Sequence, residues 1–284
     1  MNVYISTGGF HKQAADNVVR NLEKKGIFDI ELSGGIYKKK LEHSLIKNKK
    51  KFNFKVHNYF PPPKEPFVLN LASLDDKIYK QSLNLILKAL NLSKKINSDF
   101  YSFHAGFLCD ILPQDLGNRV KKKKLNSRKV CKEIFIKRVK AIAKISKKFG
   151  IKLMIENNVI TKKNLIEFGD NPFLMADPRE CKKMLDLLPS NVGLLLDVAH
   201  LKVSAKTLNF NPKKMFTMCK NRIFGYHLSD NNGKRDSNNP FNKNSWFWKY
   251  LDYKKQYLSI EVYNKDAKNL KNLLELTKNK IGRK

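Results

Sequence analysis

Along the chain, short β-rich apolar runs alternate with longer stretches whose apolar positions fall at helical spacing. The runs predicted as strands are Asn2–Ser6, Phe28–Ser33, Phe52–His57, Phe100–His104, Ile151–Glu156, Val192–Asp197, Ile223–Leu228 and Tyr257–Val262, eight in all. Between them, Asp75–Ile96, Lys129–Phe149 and Pro178–Leu188 show the period of amphipathic helices. Local punctuation agrees. Phe149-Gly150-Ile151 reads as a helix ending at a glycine before the next strand, and Asp177-Pro178 as an N-cap with proline at the first helical position.

Strands that alternate with helices imply a parallel sheet, and eight units favour closure into a (β/α)8 TIM barrel. An open doubly wound sheet would place a glycine-rich phosphate turn after the first strand, and Ser6-Thr7-Gly8-Gly9 is a poor match to one. No Pro/Gly/Ser-rich hinge interrupts the series, so residues 1–284 are read as one domain.

Composition changes this picture in few places. A hydrophobic share of 42% is enough to fill a core. Cys109, Cys131, Cys181 and Cys219 are scattered without metal-binding or redox spacing and read as reduced thiols. The N-terminus lacks the basic and apolar regions of a secretory signal, and no apolar stretch is long enough to span a bilayer. We therefore expect a cytoplasmic protein with no membrane partner. The net charge of +32 invites a polyanion. Lysine carries most of it, however, and the runs at 38–40, 49–51 and 121–124 lack arginine forks and interleaved aromatics. We read them as solvated faces and disfavour a nucleic-acid partner. The basic stretch 114–129 lies after the fourth strand, close to the predicted mouth, where it could meet an anionic group of a substrate. A homo-oligomer is left open.

Candidate chemistry sits at the strand ends. His57, His104 and His227 lie at the ends of the third, fourth and seventh strands, and His200 just past the sixth. Glu156, Asp197 and Glu261 end the fifth, sixth and eighth. The C-terminal ends of barrel strands converge on one mouth, so residues far apart in sequence can share a coordination sphere. Several carboxylates gathered beside apolar strands repel one another unless a cation lies between them. A divalent metal is the simplest occupant, and the ligand types favour Mn2+, Mg2+ or Co2+, with Zn2+ open.

Taken together, KVHNYF (55–60), FHAGF (103–107), IENN (155–158), LLLDVAH (194–200), YHLSDNNGKRD (226–236) and IEV (260–262) resemble the xylose-isomerase-like barrels. That family includes sugar phosphate isomerases/epimerases and the apurinic endonucleases. The resemblance covers essentially the whole chain. It implies Glu156, Asp197, His227 and Glu261 as ligands of one metal ion, and His57, His104, His200, Arg235 and Asp236 as substrate-binding residues. It also implies a small-molecule sugar substrate.

The chemistry of such a site is coherent. Moving a proton beside a carbonyl needs a base, an acid and a cation that stabilises the enediolate. Glu156 and Glu261 are the expected acid–base pair. Two departures from the family bear on substrate. The Asp-x-His pair that completes a three-zinc cluster in the endonucleases is Asp236-Ser237-Asn238 here, and Phe241-Asn242-Lys243-Asn244 replaces the Gly-Glu-Gly common in sugar isomerases. We therefore expect a metal-dependent isomerase or epimerase of a sugar, sugar phosphate or acidic sugar derivative. The alternatives are a phosphodiester hydrolase of the apurinic endonuclease type and a non-catalytic barrel with a partly altered site.

Overall fold

In the computed structural model, which describes residues 2–115, 120–254, 257–263 and 266–282, the eight expected strands form one closed parallel barrel in chain order. They are β1 Asn2–Ser6, β2 Asp29–Ser33, β3 Asn53–His57, β4 Phe100–His104, β5 Lys152–Glu156, β6 Val192–Asp197, β7 Ile223–Leu228 and β8 Tyr257–Ile260. The helices outside are α1 Ala15–Glu23, α2 Leu41–Lys47, α3 Asp76–Lys95, α4 Arg128–Lys148, α5 Lys162–Phe168, α6 Pro178–Asp186, α7 Val198–Thr207, α8 Lys213–Met218 and α9 Ala267–Gly282. Boundaries move from the sequence reading by a residue or two, as helix and strand ends usually do. Among the strands the largest shift is at β8, which ends before Glu261, although the Glu261 N–H still donates to the Leu228 carbonyl at 3.1 Å.

The helix signals act as expected. Asp75 caps α3 by accepting from the N–H groups of Lys77 and Ile78, and Asp177 caps α6 through Arg179 and Glu180. Gly150 ends α4 at φ 72°, a conformation in which any β-carbon is strained. Among the described residues, no helix is long and apolar enough to cross a membrane.

Two-residue alternation sorts each strand into two faces. One face, including Ile30, Leu32, Phe54, Val56, Leu153, Ile155, Leu194 and Leu196, joins the main core with helix residues such as Leu85, Phe135 and Leu270. The other face fills the barrel, with Tyr4, Phe100, Met154, Leu195 and Tyr257 as a separate cluster. Small residues make room there. A β-carbon on Gly193 would come within 2.4 Å of the Phe224 ring, and one on Gly225 within 2.7 Å of Tyr257. Lys55 is buried in this interior, over the rings of Tyr4 and Phe100, with its ammonium paired to Asp99. Two residues further along the same alternation, the interior turns from packing to ionisable groups.

Candidate metal centre

That upper layer brings His57, His104, Glu156, Asp197, His227 and Glu261 to one end of the barrel. Glu156, Asp197 and His227 are fully buried, and Glu261 is 6% exposed. The Nδ1 of His227 faces three carboxylates at once. It lies 3.1 Å from Glu156 Oε1, 3.0 Å from Glu261 Oε2 and 3.9 Å from Asp197 Oδ2. One donor atom from each of these four residues falls within 4.8 Å of the others. Donors about 2 Å from a shared ion have such spacings. The second oxygen of Glu156 faces another pair, His104 Nδ1 at 3.2 Å and His57 Nε2 at 3.4 Å. These three also form a group with metal-ligand spacing.

Backbone braces hold the carboxylates in place. Asn157 ties the ends of β5 and β6 together: its side-chain oxygen accepts from Asp197 N at 2.8 Å, and its amide nitrogen donates to the Asp197 carbonyl at 3.2 Å. Asn158 donates to the carbonyls of Ala105, Gly106 and Leu174. Asp197 Oδ1 accepts from His200 N at 2.7 Å and so caps α7, leaving Oδ2 directed elsewhere. Gly8 leaves space for Glu261, since a β-carbon there would lie 2.9 Å from Glu261 Oε1.

Crowding of charge sets the ionisation pattern. Burial pushes Asp197 up to about 7, with Glu156 and Asp236 adding to it against His200 and His227. Glu261 is raised too, by burial and by Glu156 and Glu31, although His227 opposes the shift. Burial would lower His227, but Glu31, Glu261 and Glu156 hold its imidazole well above the usual range. His104 is driven down to about 4 by burial, and His57 is lowered for the same reason. Among the described residues, several buried atoms make no hydrogen bond: Glu31 Oε1, Glu156 Oε2, Asp197 Oδ2, His104 Nδ1 and Asp236 Oδ1. Unpaired buried carboxylate oxygens are strongly unfavourable, and a cation between them removes the penalty. The residues present fit a divalent ion.

His200 stands at one side of this cluster. Its Nδ1 lies 2.9 Å from the Asn157 carbonyl, and its Nε2 lies 3.1 Å from Asp236 Oδ2. Asn238, which stands where the endonuclease branch has a histidine, is buried, and its side-chain oxygen accepts from Ser229 at 3.2 Å. Its carbonyl also accepts from the N–H of Tyr263 at 2.9 Å, so it joins the loop after β7 to the segment after β8.

Of the residues singled out from sequence, Arg235 alone stays apart, exposed and making none of these contacts. In the basic stretch 114–129, residues 116–119 lie outside the described residues, while Lys121–Lys124 are exposed and Lys123 donates to the Asp110 carbonyl at 2.5 Å. In the segment after β3, Phe60 is fully buried, and Tyr59 and Phe67 pack on the core. One ionisable residue of the cluster escaped the sequence reading. Glu31 of β2 is fully buried, and its Oε2 lies 2.8 Å from His227 Nε2. Its signal was an acid at an inward position between Ile30 and Leu32, two residues before the strand end.

Comparison with known proteins places the geometry in context. Residues 25–278 match the sequence model of the xylose isomerase-like TIM barrel. Among solved structures, a D-tagatose 3-epimerase-like protein superposes with a TM-score of 0.72 at 20% identity, covering 99% of this chain and 100% of the other. A protein from Thermus thermophilus, soaked with zinc chloride, gives 0.63 at 18% identity, covering 98% and 99%. An AP endonuclease of family 2 from Brucella melitensis gives 0.64 at 12% identity, covering 95% of each chain. At these identities the likeness is one of fold. No curated protein sequence matches the chain.

Proposed function

The chain belongs to the xylose isomerase-like TIM barrel family, and from that premise we propose that it is a metal-dependent isomerase or epimerase of a sugar, sugar phosphate or acidic sugar derivative. One observation carries the reading: three carboxylates converge on a single imidazole nitrogen in a buried site, with Glu156 and Asp197 each keeping an oxygen that accepts no hydrogen bond. Residues 1–284 act as one domain. The cation is Mn2+, Mg2+ or Co2+ ahead of Zn2+, because the ligand set is three carboxylates and one imidazole.

Glu156, Asp197, His227 and Glu261 would hold the ion. Once bound, it supplies Lewis acidity, polarising a substrate carbonyl and taking up the charge of the developing enediolate. Glu156 and Glu261 exchange the proton: one takes it from carbon and the other returns it. Glu261 is shifted upward by burial towards the basicity that proton abstraction needs, whereas His104, His227 and His57 hold Glu156 well below the usual carboxylate range against burial. His200, with Asp236 behind it, and His104 at the more open side bind substrate hydroxyls. Burial of the whole cluster excludes water from the carbanion-like intermediate.

A second reading has one observation in its favour. His57, His104 and Glu156 form a further group with ligand spacing, which a phosphodiester hydrolase would use for a second ion. Against it, Asn238 gives its side-chain oxygen to Ser229 rather than to an ion.

Both readings meet one experiment. Purified protein is stripped with EDTA, reloaded with Mn2+ or Co2+, and assayed for incorporation of solvent deuterium into ketose and aldose substrates. We expect exchange that needs the cation and falls by roughly 10²–10⁴-fold in Glu156→Gln and in Glu261→Gln. Cation-independent exchange, or wild-type exchange in both variants, would refute the isomerase reading. Cation-dependent nicking of abasic DNA without exchange would favour the hydrolase.

A further inference from the structure

We propose that Glu31 is a positioning residue for the cation site: it accepts a hydrogen bond from His227 Nε2–H and so fixes Nδ1 as the nitrogen offered to the metal. The inference rests on the cation site proposed above and not on the identity of the sugar.

The geometry divides the two ring nitrogens cleanly. Nδ1 faces Glu156, Asp197 and Glu261, whereas Nε2 lies 2.8 Å from Glu31 Oε2 on the opposite side of the ring. A neutral imidazole has one N–H and one lone pair. With the N–H committed to Glu31, the lone pair is directed into the carboxylate cluster. Both residues are fully buried, so no water competes for the bond. The ring itself is held by His57, whose ring packs edge-on at 4.8 Å between centroids.

Glu31 is anchored from below. The hydroxyl of Tyr257 donates to the same Oε2. Tyr257 stacks on Tyr4 at 5.3 Å between ring centroids, and the Tyr4 hydroxyl accepts from Asn53 at 2.9 Å. The carboxylate is therefore tied to the barrel floor, not poised to swing toward the mouth. This also argues against the other role open to it. A cation held by Glu31, His57 and His227 through the nitrogen that faces Glu31 would need the Nε2 lone pair, where the bond to Glu31 Oε2 requires an N–H. A carboxylate behind a ligating histidine fixes the tautomer and raises the basicity of the ligating nitrogen, and its loss typically weakens metal binding by about 10–100-fold.

The test uses the full chain and the metal alone. Mn2+ affinity is measured by competition with a chelator for wild type, Glu31→Gln and Tyr257→Phe, with the ion count per chain determined in parallel. We expect Glu31→Gln to bind one ion about 10–100-fold more weakly, and Tyr257→Phe to show a smaller loss in the same direction. On the Zn2+-loaded wild type, 15N spectra of labelled histidine should show His227 protonated at Nε2 and unprotonated at Nδ1. That signature does not depend on any variant folding, and the Nε2 proton should move upfield in Glu31→Gln, a change that a merely structural Glu31 would not produce. Equal affinity in wild type and Glu31→Gln, or a wild-type His227 protonated at Nδ1, overturns the proposal. Two tight ions in wild type and one in Glu31→Gln would make Glu31 a ligand instead. A wild type that binds no ion removes this proposal together with the metal site, whereas tight binding without sugar exchange removes only the sugar reading.

Discussion

The two sides of the mouth answer the same problem, charge buried at the end of a barrel, in different ways. Around His227, Glu156, Asp197 and Glu261 face one nitrogen, and Glu31 occupies the other. Around His200, Asp236 bonds Nε2, while Nδ1 meets the Asn157 carbonyl with Glu156 Oε1 3.7 Å away. The first arrangement has more anions than its histidine can neutralise. The second is balanced contact by contact, each nitrogen having one hydrogen-bond partner, while Asp197, Asp236 and Glu156 together hold His200 well above the usual imidazole range against the effect of burial. Convergence of three carboxylates on one nitrogen therefore separates a place that needs a cation from one that does not. Burial alone does not, because both histidines are buried.

The largest expected effect breaks the central cluster at its most strained member. Asparagine at 197 keeps an oxygen for the His200 N–H that caps α7 but removes a charge from the group of three. Mn2+ affinity of Asp197→Asn should fall by more than the roughly 100-fold ceiling typical of partners outside the ligand shell. The metal-free variant should melt no lower than wild type at alkaline pH, because a crowded carboxylate has gone. Isothermal titration and thermal melts check both halves. Wild-type affinity in this variant would move the cation away from the centre.

Much of this was legible from the sequence, and the exceptions have physical causes. Alternation located all eight strands, and convergence of strand ends gathered the histidines and carboxylates. Glu31 escaped because attention to strand ends overlooks a residue two positions deeper, where an acid becomes tolerable only when another strand supplies a histidine. Asn157 and Asn158 resembled site residues by position but act as braces, a role set by carbonyls on other strands. The loop after β7 follows tertiary packing that no period encodes. Its antiparallel bridge between Asp230 and Asn239 leads into Phe241, Trp246, Phe247 and Trp248, which pack among themselves, with Trp246 also against Phe216. Arg235 rides on its exposed part.

A smaller effect should appear with pH. Asp197, pushed up to about 7, keeps a proton in the folded chain that the unfolded chain has already released. That stability is complete below the ordinary carboxylate range and is lost as the pH rises through about 7. His200 and His227, raised by their carboxylates against burial, contribute in the same sense and lose it at higher pH still. His57 and His104 act the other way, lowered by burial, with His104 down to about 4. Their contribution is complete once the pH exceeds the ordinary imidazole value, so it cannot offset the fall above it. The metal-free protein should therefore melt lower at pH 8 than at about pH 6.5. Saturating Mn2+ should abolish or reverse that slope, because binding displaces protons from Asp197 and from His227 Nδ1. A metal-free melting temperature that climbs across the same interval would mean that the carboxylates are not crowded as described.

The smallest expected change in metal binding tests the balanced side directly. Asp236→Asn removes the anion beside His200 but keeps an oxygen within reach of Nε2, and it leaves the bond from Nδ1 to the Asn157 carbonyl untouched. The pair is formally neutral before the change, so no uncompensated anion is relieved and no ligand is lost. Asp236 does act on Asp197 through space, so some weakening of Mn2+ binding is expected. It should stay below the roughly tenfold lower bound typical of a partner that orients a ligand. Its effect should fall instead on substrate. Asp236 Oδ1 is buried and makes no hydrogen bond among the described residues, on a side chain that is 16% exposed, so it is an acceptor left for a substrate hydroxyl. Losing a contact made equally in ground and transition states raises KM and leaves kcat nearly unchanged. Chelator competition and steady-state kinetics on one preparation measure both quantities. A loss of Mn2+ affinity as large as that of Asp197→Asn would place Asp236 within the metal site, and convergence on one nitrogen would no longer distinguish the two sides of the mouth.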